Sequence, residues 1–131
     1  MAPVLAQSPG IGAAVETSAS WQGEFSSVEE GTRTIDDPKS WASLWRGLSP
    51  DPIPAIDFNS HQVVAVFLGP RPNPGYAVQI TGITNTESYI LVRYHETIPK
   101  AKPTAIDQPS SPYCLRVIAR STLPVRFERA P

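Results

Sequence analysis

VVAVFLGPRPNPGYAVQI, residues Val63 to Ile80, is the stretch on which the reading of this chain turns. Val63–Leu68 is wholly apolar, shows no polar alternation and stops at Gly69. Such a run suits a strand buried on both faces. Pro70, Pro72 and Pro74 follow, each holding φ at roughly −65° and biasing the residue before it toward extended backbone. Gly75 supplies a backbone angle that a side chain would forbid. Tyr76, Val78 and Ile80 then alternate with Ala77, Gln79 and Thr81, the period of a strand with two different faces. The pattern predicts two strands joined by a stiffened loop.

Working outward, Asp36-Asp37-Pro38 marks a helix start: Asp37 caps free N–H groups and Pro38 takes the first helical position. Trp41, Leu44, Trp45 and Leu48 fall at i, i+3, i+4 and i+7, one apolar stripe on a helix ended by Ser49-Pro50. Two tryptophans on one stripe call for a sheet to cover, each burying on the order of 150–250 Å². Core packing is the plain account of them, an aromatic ligand platform the other. Before the helix, Trp21–Val28 and Thr32–Ile35 flank Glu29-Glu30-Gly31 and read as a hairpin. Asp51–Ile56 is extended and rich in proline. After the proline loop, Ser88–Thr97, Tyr113–Ala119 and Val125–Phe127 read as further strands. The segment from Ile98 to Ser111, with Pro99, Pro103 and Pro109, is a long surface connection of the kind that often carries function.

The chain has 131 residues, 11 basic and 12 acidic, for a formal charge of −1. One domain is the default for this length, and nothing global draws it to nucleic acid or an anionic membrane. The 15 prolines are spread among loops, which suits a β-rich protein with rigid connections. No apolar run reaches the length of a transmembrane helix. Residues 1–18 are small, with glycine and proline and no periodicity, and are expected to form a disordered leader. Val4-Leu5-Ala6 before Gln7 has the spacing of a signal-cleavage site, consistent with the tail of a trimmed signal.

Candidate chemistry is thin. His61 and His95 lie far apart, and neither metal-binding nor phosphate-cradling spacing occurs, so no cofactor or metal is expected. Cys114 lies within a strand and reads as a small hydrophobe rather than a thiolate nucleophile. No nucleophile, base and orienting group can be assembled, so an enzyme is not expected. Arg116 and Arg120 share a parity, which suggests a solvated sheet face or an edge guard; an acidic partner patch is the alternative. Binding remains. A loop stiffened by three prolines loses little freedom on docking, with Arg71 and Asn73 projecting, Pro74 and Gly75 shaping it, and Tyr76 as an anchor at its base. The plainer account is a rigid hairpin loop with Tyr76 in the core. Ser111, Pro112 and Tyr113 form a second candidate patch.

Asp57-Phe58, an apolar strand ending at Gly69, Arg71-Pro72 and Gly75-Tyr76 together resemble the C-terminal domain family of PrcB, a subunit of a bacterial protease complex. Ser110-Ser111-Pro112-Tyr113 is similar to the family's late strand start. The resemblance spans about residues 57–128 and, more loosely, the helix of Trp41 and Trp45. Where the family tends to place Thr-Gly-Gly-Tyr, this chain has Asn73-Pro74-Gly75-Tyr76, a stiffer loop. The resemblance implies a mostly β domain that assists an exported protease without catalysis of its own, in the cell envelope or outside it. Asn73-Pro74-Gly75-Tyr76 also looks like a shortened form of the binding loop of chagasin-like peptidase inhibitors, though the two threonines and the second loop of that family are missing. A small-ligand or glycan-binding module using Tyr89 or Tyr94 is a third reading.

The expected architecture is mainly β: an antiparallel sandwich or strongly curled sheet, with one amphipathic helix packed on it. Residues 19–131 form the single domain and 57–128 its core. The expected partner is a protease or another protein; the oligomeric state is open.

Overall fold

The computed structural model describes residues 12–72, 74–100 and 109–131. Among them eight strands and one helix follow in the order β1 (Ala13–Ala14), β2 (Ala19–Gly23), β3 (Gly31–Ile35), α1 (Pro38–Arg46), β4 (His61–Phe67), β5 (Ala77–Asn85), β6 (Ile90–Thr97), β7 (Tyr113–Ala119) and β8 (Val125–Arg129). They form two four-stranded sheets, β1-β5-β6-β8 and β2-β7-β4-β3. The expected mainly β sandwich with one packed helix is what is found. Every pairing is antiparallel except β6–β8, which is parallel.

The layering follows from β4 and β7. Val63, Ala65 and Phe67 of β4, with Leu115 and Val117 of β7, face Trp41, Leu44 and Trp45 of the helix. The residues between them, Val64, Val66, Cys114 and Ile118, face Val78, Ile80, Ile83, Ile90 and Val92 of the other sheet. The inner sheet is therefore covered on both sides, and its central strand shows no alternation because neither face meets water. Cys114 lies buried in this inter-sheet layer as a free thiol.

The helix begins as the sequence suggests. The Asp37 carboxylate accepts Ser40 N–H and Ser40 Oγ–H, both at 2.8 Å, and the Ser40 backbone bond, with the hydroxyl next, holds its pKa below the usual value. Trp21, Trp41 and Trp45 pack with ring centroids 5.5–5.6 Å apart. Their indoles also fasten the proline-rich strap of residues 51–56: Trp41 Nε1–H donates to Pro54 O and Trp45 Nε1–H to Asp51 O, each at 2.9 Å.

Three expectations need correction. The segments around β2 and β3 do not form a hairpin; β2 pairs with β7 and β3 with β4, at opposite edges of one sheet. The two most apolar strands take the centre and leave the more polar pair to the margins. The proline loop likewise joins no hairpin, because β4 and β5 belong to different sheets. Finally, part of the expected leader is folded: β1 pairs with β5, Val15 N–H donates to Ile83 O at 2.9 Å, and Val15 packs on the inter-sheet core. Residues 1–11 lie outside the described residues.

Gly69 turns the chain out of β4 with φ +78°, and a Cβ there would stand 2.8 Å from Glu30 Cβ. A Gly69→Ala substitution meets both a left-handed backbone and that contact, so it is expected to cost about 2 kcal/mol. Urea unfolding reads this directly, and a loss below roughly 0.5 kcal/mol, the scale of a neutral surface change, would show that the turn relaxes.

Candidate functional site

The two patches singled out in the sequence come together at one end of the sandwich. Leu68 N–H donates to Pro112 O at 3.0 Å. Beyond it Arg71 and Ser110 exchange backbone bonds, Arg71 N–H to Ser110 O at 2.7 Å and Ser110 N–H to Arg71 O at 2.9 Å. The proline loop thus runs beside the start of β7 as an extension of the β4–β7 pairing. A third segment joins them: Glu24 O accepts Ser111 N–H at 2.7 Å, and Glu24 Oε1 accepts Gly75 N–H at 3.1 Å. A fourth closes the group, since Gly75 (φ +100°) leaves room for Pro99, whose Cβ would lie 3.1 Å from any Cβ at position 75.

Within this end, Arg71 is not the projecting side chain that the sequence suggested. Its Nε donates to Glu96 Oε2 at 2.7 Å and its Nη2 to Glu96 Oε1 at 3.2 Å, while Nη1 donates to Leu68 O and Pro70 O at 3.0 Å. Only 21% of the Arg71 side chain and 5% of that of Glu96 are exposed. Arg129 of β8 binds Glu96 Oε1 as well. Hydrogen bonding from Arg71, reinforced by Coulomb attraction and by Arg129, holds the Glu96 pKa below the usual carboxylate value against the opposing pull of burial. The same contact raises that of Arg71. Glu96 therefore ties the loop, β6 and the last strand together.

The other candidates divide. Pro112 is fully buried and Tyr113 packs on the helix-side core, stacked on Phe67 at 6.4 Å, so both are structural rather than surface groups; burial raises the Tyr113 pKa. Ser111 and Pro74 are half-buried, Gly75 is exposed, and Asn73 lies outside the described residues. Tyr76 is half-buried and, with Gln22, Gly23, Glu24 and Val78, lines a cleft of about 350 Å³. Sequence reasoning missed Phe25 and Ile98, which stand 53% and 62% exposed on segments adjoining Glu24 and Pro99. An aromatic and a β-branched residue left bare at a loop-built end are the kind of groups that anchor a partner.

The arginines behave differently from the expected solvated face. Arg116 enters the inter-sheet layer, donating from Nη2 to Ile80 O at 2.8 Å and from Nη1 to Thr17 Oγ1 at 3.3 Å. Its parity with Cys114 and Ile118 carried that information. Arg120 fastens the approach to the helix, donating from Nη1 to Phe58 O at 2.8 Å and to Asp36 O at 3.2 Å. As for the tyrosines of the ligand-binding reading, Tyr89 lies under the Arg126 guanidinium at 4.4 Å, and Tyr94 packs on the inter-sheet core.

Fold and surface define a small two-sheet β domain, one sheet covered by a helix, with a loop-built end that exposes apolar groups. The family model described as PrcB C-terminal matches residues 62–119, which run from β4 to the end of β7. This segment of the chain is similar to that family. No curated protein and no solved structure matches the chain. No helix among the described residues is long and apolar enough to cross a membrane.

Proposed function

We propose that this chain is a non-catalytic, protein-binding accessory domain of an exported protease complex, docking through the end of the sandwich formed by residues 23–25, 69–76, 97–99 and 109–111. The observation that carries the reading is the convergence of these four segments, with Phe25 and Ile98 bare beside them. The family match supports the protein-interacting role. Backbone bonds and the Glu96 ion pairs hold the surface in one shape, so docking loses little conformational freedom. The protease as partner, and a location in the cell envelope or outside the cell, come from what the family resemblance implies.

Co-purification from an expressing bacterium tests this. Phe25→Ser and Ile98→Ser remove exposed side chains, so folding stability is expected to change by no more than about 0.5 kcal/mol. Capture of a protease is expected to fall by roughly tenfold or more for each, the scale of an interface anchor. An unchanged partner set for both variants would remove this end from the account. Activity of the captured protease then separates an accessory subunit, which sustains it, from an inhibitor, which lowers it.

A further inference from the structure

Among the described residues, strand β2 (ASWQG) is the one sheet edge without an edge guard. Sheet margins are ordinarily protected by charge, proline, bulges or shortness. Here β8 carries Arg126, Glu128 and Arg129, β3 carries Arg33, and β1 has two residues. The part of β5 beyond β1 is broken by a bulge between Ile80 and Gly82, and Arg116 takes its Ile80 carbonyl. By contrast β2 has neither charge nor proline, pairs with β7 on one side, and among the described residues has no backbone partner on the other.

Two recesses flank this edge. On the helix side, Ala19 and Trp21 border an apolar slot of about 270 Å³ closed by Ile56 and Val117. On the side of the other sheet, Gln22 and Gly23 border the cleft of about 350 Å³ that holds Tyr76 and Val78. A strand laid along β2 would send alternate side chains to these two sides, the arrangement by which sheet edges read peptides: main-chain bonds give affinity and alternate pockets give specificity. Each recess has one carboxylate, Asp57 or Glu24, and neither is lined by a lysine or arginine.

We propose that the outer edge of β2 receives an extended segment of another polypeptide as an added strand, one with small aliphatic residues at alternate positions and basic residues at its ends. This docking mode borders the loop surface at Gly23, Glu24, Gly75 and Tyr76 but rests on the unpaired edge of β2 rather than on Phe25 and Ile98.

The test uses the full chain, ¹⁵N-labelled, and a blocked peptide Lys-Thr-Val-Thr-Val-Thr-Lys at up to about 1 mM, the range of a weak edge contact. Shifts are expected at residues 19–23, the Trp21 indole, Val117 and Tyr76, with amide exchange in β2 slowed roughly tenfold. Of two versions N-methylated on alternate residues, one is expected to bind about tenfold more weakly, because it lacks the N–H groups that face β2. The double change Ser20→Lys and Gln22→Lys, at exposed positions, is expected to weaken binding similarly with an unchanged melting temperature. Ile98→Ser, on the loop surface, is expected to leave it within about twofold, so failure here is separable from failure of the loop surface. Four results would overturn the proposal: no shifts at the highest peptide concentration; equal binding of both methylated versions; the β2 amides that face away from β7 already protected in the free monomer, which would mean that the chain itself fills the edge; or doubling of mass with protection of those same amides, which would mean that a second copy does.

Discussion

Trp41→Ala is expected to cost about 4 kcal/mol of folding stability, the scale of a large aromatic removed from a closed core. Trp41 is 2% exposed and touches both Trp21 and Trp45. Its indole N–H also holds the 51–56 strap through Pro54 O. The substitution therefore opens a cavity between helix and sheet and releases a strap carbonyl at the same time. For a domain of this size the loss corresponds to a fall in melting temperature of about 12 °C. Trp41→Phe keeps most of the volume and loses the hydrogen bond, so it should lie between, at about 1–2 kcal/mol. Calorimetry on the pair checks both, and equal, small losses would show that the helix is not seated on the sheet as described.

Glu96→Ala is expected to cost about 3 kcal/mol, the lower end of the range for removing one member of a buried ion pair. The lower end applies because Arg129 is 51% exposed and regains hydration once released, while Arg71 is 21% exposed and regains less. The linkage to pH has a definite sign. The folded-state pKa of Glu96 is lowered from 4.5. Its contribution is thus fully present above that value and is lost as pH falls below it, through the folded-state pKa. Glu96→Gln should flatten this acid limb while leaving the neutral-pH baseline lower. An acid limb identical in the wild type and Glu96→Gln would show that other carboxylates dominate it.

How much of this was legible in the sequence varied with the range of the interactions. The helix was, because its cap, its proline and its tryptophan stripe are local signals. Two-sided burial of Val63–Leu68 was, because a strand that meets no water has no reason to alternate. The partners of β2 and β3 were not: each is short and amphipathic, and its place at a margin is decided by β4 and β7 claiming the centre, a competition between segments distant in sequence. The candidate site was legible as a set of loops but not in its wiring. In Ile90–Thr97, Glu96 shares its parity with Ile90, Val92 and Tyr94, and an inward carboxylate demands a cation; that signal called for a tied cation, and only the fold shows it to be Arg71 together with Arg129. Phe25 and Ile98 carried no comparable signal, since exposure of an apolar residue depends on which segments assemble around it.

The most direct test of the docking surface is site-specific photo-crosslinking in a cell that expresses the chain. A photoreactive residue is placed at position 98, at the loop-built end, and at position 88, in the β5–β6 turn at the other end of those strands. Adducts to a protease polypeptide at 98 and none at 88 are expected. Adducts at 88 alone, or equally at both, would contradict the assignment of that end as the site of partner binding.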